Sequence, residues 1–163
     1  MRAEENVVVT VKEDSSTNTY HVEGVFDVTA SKKQAWKVLT DYNHLASFVS
    51  TIQASQVLYR EKDYLLLKQE MSGRYFIFSK KIHLVLRVFE RPMKQITFED
   101  TLLKDFEFYV GQWEIQQKKK GCRVEYQLKA KTHFGTPHSI QKSIFQRDIK
   151  KMMEQVAARI LSP

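Results

Sequence analysis

The sequence predicts an α+β fold: a curved antiparallel sheet of about seven strands, with an extra strand at the N-terminus, wrapped round a long C-terminal helix. Three observations carry this expectation. The stretch from Ile52 to about Thr132 alternates and is punctuated by turn formers. One short capped helix precedes it, and one long helix closes the chain. A sheet of that many strands, spaced about 4.8 Å apart, is roughly 30 Å wide, whereas a helix with its side chains is about 10–12 Å across. A single helix cannot cover such a face. Either the sheet curls round the helix and leaves a pocket or apolar surface stays wet, and the first costs less free energy. The pattern therefore points to a binder of apolar ligands.

The elements follow in order. Asn6 to Lys12 and Thr19 to Val28 read as a leading hairpin joined through Glu13-Asp14-Ser15-Ser16-Thr17-Asn18, a cluster of turn formers. Ser31 and Gln34 make an S-x-x-Q capping box, and Ala35, Trp36, Val38 and Leu39 give an apolar helix face that stops near Asp41. A further short helical turn is expected around His44 to Val49. Strand signals then run over Ile52–Arg60, Tyr64–Glu70, Arg74–Phe89, Lys94–Leu103, Phe106–Gln117 and Cys122–Thr132. Turns are expected between them, at Ser72-Gly73, Lys104-Asp105 and Lys118 to Gly121 among others. Thr136-Pro137 is a helix start, Thr as cap and Pro at the first helical position, and the closing helix runs to Leu161 for about 24 residues and about 36 Å.

Composition narrows the class. A hydrophobic share of 42% with only five Gly and three Pro is that of a chain that folds throughout, and 1–163 is expected to form a single domain. Cys122 is the only cysteine, so no internal disulfide framework or multi-cysteine zinc site exists. The acidic opening residues Met1 to Asn6 form no secretory signal, and no apolar run reaches transmembrane length; a cytoplasmic location is expected for the chain as it stands. The formal charge of +7 suits anionic partners without choosing among phospholipid, acidic protein and RNA.

Val25-Phe26-Asp27-Val28-Thr29-Ala30-Ser31, followed by Ala35-Trp36-Lys37-Val38-Leu39-Thr40-Asp41-Tyr42, resembles the opening motif of the START-like polyketide cyclase/dehydrase and coenzyme Q-binding family. Phe98-Glu99-Asp100, Gly111-Gln112-Trp113-Glu114-Ile115 and Gly121-Cys122-Arg123-Val124-Glu125-Tyr126 are similar to that family's paired last strands. The resemblance covers about Tyr20 to Leu161 and implies a helix-grip fold of the SRPBCC type with a hydrophobic cavity. Members of the family include ubiquinone-binding proteins, aromatase/cyclases, lipid carriers and a ribosome-association toxin. Such motifs specify fold well and function poorly, because Gly, Trp and capping residues serve turns and packing.

Register arguments nominate cavity residues. A two-residue turn at Lys118-Lys119 sets Trp113 opposite Val124, Gly111 opposite Tyr126 and Tyr109 opposite Leu128, so the apolar faces coincide. Gly111 would then leave room for the Tyr126 ring. A Lys104-Asp105 turn places Ile96 beside Trp113, Phe98 beside Gly111 and Asp100 beside Tyr109. Phe76 and Phe78 join the same face if no bulge intervenes at Ser79-Lys80-Lys81. On the closing helix Ile149, Met152, Met153 and Val156 cluster on one side, the methionines suiting a deformable wall. Asp100, with Tyr109 or Tyr126 nearby, is the candidate proton carrier if the protein is a cyclase/dehydratase.

Other chemistry is lacking. No phosphate loop, H-E-x-x-H or G-x-S-x-G motif occurs, the five histidines are scattered, and neither a cofactor nor a metal site is expected. The wet face of the last strand is mixed in sign, so a nucleic-acid or ribosomal partner ranks behind a hydrophobic small molecule. Ile140, Ile144, Arg147 and Lys151 follow one helical stripe, expected to lie opposite the Met152-Met153 face and suited to peripheral contact with an anionic membrane.

Overall fold

The computed structural model describes residues 6–14, 16–74, 79–133 and 138–162. Eight strands form one antiparallel sheet: β1 (Val8–Asp14), β2 (Thr19–Val28), β3 (Ile52–Arg60), β4 (Leu65–Arg74), β5 (Ser79–Arg91), β6 (Gln95–Asp100), β7 (Phe106–Lys118) and β8 (Gly121–Thr132). Their order across the sheet is β1-β2-β8-β7-β6-β5-β4-β3, so β8 returns to lie beside β2. Helix α1 (Lys32–Leu39) and a short 3₁₀ turn (Tyr42–Ser47) link β2 to β3, and α2 (His138–Leu161) closes the chain. This is the expected helix-grip architecture.

Local signals explain most boundaries. The Ser31 hydroxyl accepts from the Gln34 N–H at 3.1 Å and caps α1. Three departures from the sequence reading bear on the site. The turn expected at Ser72-Gly73 is strand: β4 continues through Ser72↔Lys81 and Gly73↔Lys80 to Arg74↔Ser79, because ladder pairing outweighs local turn propensity. Phe76 and Phe78 fall outside the described residues. The β7–β8 turn is Lys119-Lys120, closed by Lys118↔Gly121, so Trp113 faces Tyr126, Gly111 faces Leu128 and Tyr109 faces Ala130. The slip from the expected register is two residues, an even number, so every side chain keeps its face. Gly121 fixes this choice: its φ is +122° and a Cβ would stand 2.0 Å from the Val28 carbonyl oxygen. Finally, β6 ends at Asp100, whose carboxylate accepts from the N–H groups of Leu102 (3.0 Å) and Leu103 (3.1 Å) and holds Leu103 at φ +53°.

The helix covers the sheet unevenly. Buried Ile149, Met153, Val156, Ala157 and Ile160 of α2 face the sheet, and the helix packs chiefly on β1 and β2. Gly24 of β2 is the notch for this packing, since a Cβ there would stand 2.1 Å from the Met153 Sδ. The inner face of β4 to β7 is left to α1, the 3₁₀ turn and the flank of α2, and it is there that space remains.

Candidate functional site

That space is a hollow of two chambers. The Trp113 chamber, about 80 Å³, lies under α1 and the 3₁₀ turn, with Val38, Leu39, Tyr42 and Leu45 as roof and Phe98, Trp113 and Ile96 as floor. The Phe106 chamber, about 70 Å³, lies under the N-terminal half of α2, between Ile144, Phe145 and Ile149 and the ends of β5 and β7 at Ile82 and Phe106. Met71, Tyr109, Tyr126 and Met152 line both. Pockets for drug-sized ligands run to about 300–1,000 Å³, so each chamber alone holds a fragment of such a ligand.

Aromatic rings build the walls. Tyr126 packs on Trp113 with ring centroids 4.6 Å apart and stacks on Phe98 at 6.1 Å, while Tyr109 packs on Phe106 at 4.8 Å and on Phe98 at 5.9 Å. Gly111 makes this cluster possible, though not as expected: its missing side chain admits Phe98, whose Cζ would lie 2.5 Å from a Cβ, rather than Tyr126. The two tyrosine hydroxyls act on each other across the wall that the chambers share. Burial pushes the Tyr109 phenol up to about 12, the Tyr126 hydroxyl opposing and the charge of Asp100 adding to the shift. Burial, with Tyr109 alongside, raises Tyr126 well above its ordinary value. Both phenols are therefore neutral, and they offer hydrogen bonds without charge. In the Trp113 chamber the other polar wall groups are engaged: the Tyr42 hydroxyl donates to the Glu90 carboxylate, and the Gln69 amide reaches the Ser55 hydroxyl at 3.2 Å.

The residues nominated from sequence divide. Phe98, Tyr109, Trp113, Tyr126, Leu128, Ile149, Met152 and Val156 all line the hollow. Met153 does not, because it is spent in the Gly24 notch, fully buried. Asp100 is buried but turned away: besides Leu102 and Leu103 it accepts from the Val85 N–H at 3.1 Å, so its oxygens brace a turn and the carboxylate is no wall group. The carboxylate that borders the hollow is Asp148, which pairs with Arg147 at 3.4 Å. Ile144, expected on the far side of α2, instead lines the Phe106 chamber. Eight residues turn a helix through about 800°, which brings Ile144 to within about 80° of Met152, with Asp148 between them in one i, i+4, i+8 row. Arg147 and Lys151 are exposed, and the side chain of Ile140 lies outside the described residues.

Sequence reasoning read β4 and α1 as elements but did not nominate their residues as walls of the hollow. Leu65, Leu67, Gln69 and Met71 alternate with Leu66, Lys68 and Glu70, a period of two that places Gln69 and Met71 inward. Among the described residues, no cluster of three or more His, Cys, Asp or Glu could hold a metal ion, and no helix is long and apolar enough to cross a membrane.

Residues 28–157 match the family described as polyketide cyclase / dehydrase and lipid transport. No curated protein matches the sequence significantly. Among solved structures, the STAR-related lipid transfer protein of Xanthomonas axonopodis is similar at a TM-score of 0.77 and 16% identity, covering 96% of this chain and 94% of that one. The TTHA0849 protein of Thermus thermophilus is similar at 0.77 and 15% identity, over 87% and 97% of the two chains. The Zhui aromatase/cyclase of Streptomyces sp. R1128 is similar at 0.75 and 12% identity, over 88% and 94%. At these identities the likeness is one of fold.

Proposed function

Because the chain belongs to the polyketide cyclase/dehydrase and lipid transport family, we propose that its hollow binds one hydrophobic small molecule, a lipid, an isoprenoid quinone or an aromatic polyketide-like compound, and carries it unchanged. The observation that carries this reading is the wall itself: two adjoining chambers lined by aromatic, aliphatic and methionine side chains, with a neutral phenol pair between them. Two similar structures, a lipid transfer protein and an aromatase/cyclase, fit such a hollow and differ on whether chemistry follows. Carriage is favoured here because Asp100, the proposed proton carrier of a cyclase, is occupied by three backbone N–H groups. The test is uptake of the neutral polarity-sensitive dye Nile red, together with mass spectrometry of organic extracts of the purified protein. One dye per chain, displaced by an extracted lipid or quinone, is expected; absence of both dye uptake and an extracted ligand would refute carriage.

Loading takes place, in this reading, at an anionic membrane facing the cytoplasm. The support is the turn after β6, where Leu102 and Leu103 are 44% and 46% exposed beside the exposed Lys104. The turn is stiff: Asp100 holds one side, and on the other the Asp105 carboxylate accepts from the His83 N–H at 2.8 Å while its carbonyl accepts from the His133 N–H at 2.9 Å. It leads directly into Phe106 of the second chamber. Arg147 and Lys151 supply exposed cations, whereas the apolar part of the contact moves from the helix stripe to this turn. Sedimentation with anionic but not neutral liposomes, released by salt and lost in Leu102→Asp, is expected. Equal absence of binding to both liposomes at low salt would remove the membrane from the account.

A further inference from the structure

The partition between the chambers is made of two unlike pairs. Met71 and Met152 are half-buried and unbranched, with three rotatable side-chain bonds each, so they can swing aside at small cost. Tyr109 and Tyr126 cannot, because Trp113, Phe98 and Phe106 clamp their rings. Movement of the methionines alone would join the chambers and leave the hydroxyl pair standing in the wall at mid-length. We infer that the two chambers are one site for a single elongated ligand, which displaces Met71 and Met152 and places an uncharged hydrogen-bonding oxygen, a ketone, quinone carbonyl or hydroxyl, against the Tyr109–Tyr126 pair.

This rests on the carrier reading and narrows its ligand class. Electrostatics decides against a charged group at that point. A carboxylate brought to the pair would lose its hydration, meet no cation among the described wall residues and feel the Asp100 charge that already acts on Tyr109. A carbonyl needs only one donated hydrogen bond, which a neutral phenol supplies. In the Trp113 chamber the other polar wall groups are less suited, Tyr42 being committed to Glu90 and Gln69 to Ser55, and Thr51, Ser72 and Asp148 line the Phe106 chamber away from mid-length. A pure hydrocarbon would leave the phenols no worse paired than in the empty protein, so the pair selects among ligands rather than enabling binding.

Competition against Nile red with two probes of equal length, an eighteen-carbon chain bearing a mid-chain ketone and the corresponding alkane, reads this directly. The wild-type chain is expected to prefer the ketone by roughly 2- to 12-fold, the range of one net hydrogen bond. Tyr109→Phe together with Tyr126→Phe should abolish the preference, so that ketone and alkane compete equally, since the hydrogen-bonding groups are removed. A carboxylate at the same mid-chain position should bind more weakly than the alkane. Methionine methyl NMR supplies a readout that needs no variant: on adding the ketone, the Met71 and Met152 methyls should shift and the Met153 methyl, locked against Gly24, should not. Nile red binding without ketone preference, or a preference that survives both Phe substitutions, overturns the phenol handle. Unmoved Met71 and Met152 methyls in the loaded protein overturn the single-site picture. Failure of the wild-type chain both to bind Nile red and to yield an extracted ligand would instead refute the carrier reading beneath it.

Discussion

Replacing Gly111 by alanine probes the wall at its tightest point. An added Cβ would lie 2.5 Å from the Gln127 carbonyl oxygen and 2.5 and 2.8 Å from the Phe98 ring. The carbonyl belongs to β8, which is paired on both sides by β2 and β7 and cannot retreat without opening two ladders. The Phe98 ring is the softer neighbour, yet it is stacked on Tyr126 and packed on Tyr109. Overpacking of this kind costs about 1–3 kcal/mol, and the reduced freedom of the unfolded chain returns about 0.4–1 kcal/mol. The net loss should be about 1–2 kcal/mol, or a fall in Tm of roughly 2–8 °C for a chain of this length. Thermal and urea unfolding followed by circular dichroism would measure it, with an unchanged urea slope showing that the native and unfolded states are otherwise the same. The displaced ring must enter the Trp113 chamber, so Nile red affinity should fall as well. A variant with wild-type Tm and affinity would show that neither the Phe98 contact nor the chamber is as described.

Asp100→Asn separates brace from catalyst. It removes a charged acceptor from a buried turn and should cost about 1.5–3 kcal/mol, while Nile red binding stays within about twofold. Loss of binding at full stability would return Asp100 to the wall. Alkaline titration followed by phenol absorbance and circular dichroism tests the closure of the hollow. Of the seven tyrosines, the exposed Tyr59 has a raised phenol, while Tyr20, Tyr42, Tyr109 and Tyr126 are buried and have phenols raised chiefly by that burial. Their contribution to stability is complete below the unfolded value of 10.0 and is lost as pH rises through the folded value of about 12 at Tyr109. These phenols should ionise together with unfolding; ionisation of all seven near pH 10 in a folded chain would mean that the hollow is open to water. Gly24→Ala, whose Cβ would strike the fully buried Met153, should destabilise the α2–β2 contact by about 1–3 kcal/mol, measured by the same melts, and unchanged stability would deny the notch.

Much of the site was legible because a strand writes its faces in a period of two. Phe98, Trp113, Tyr126 and Leu128 were assigned inward through hairpin logic that misjudged one turn by two residues and still kept every face, which is the arithmetic of the pleat. The helix was harder. Met152 and Met153 are about 100° apart, so periodicity admits both to the apolar arc. What sends Met152 to the hollow and Met153 to Gly24 is the seating of α2 on β2, a contact distant in sequence. Asp100 misled for the opposite reason. Alternation placed it inward and it is buried, but the N–H groups of Leu102 and Leu103 capture its carboxylate in the tight turn that follows. The split of the hollow by Met71 and Met152 was not readable, since it depends on rotamers of side chains from β4 and α2 meeting across the core.

Native mass spectrometry of the purified chain, with and without added isoprenoid quinone, tests the central claim most directly when paired with a variant that fills the hollow. Val156 is buried and lines the Trp113 chamber, so Val156→Phe should occupy space that a ligand needs. The account predicts one bound apolar molecule per wild-type chain and its loss from a folded Val156→Phe chain. A wild-type chain that remains ligand-free across lipid, quinone and polyketide-like compounds, or a Val156→Phe chain that binds as well as wild type, would contradict it.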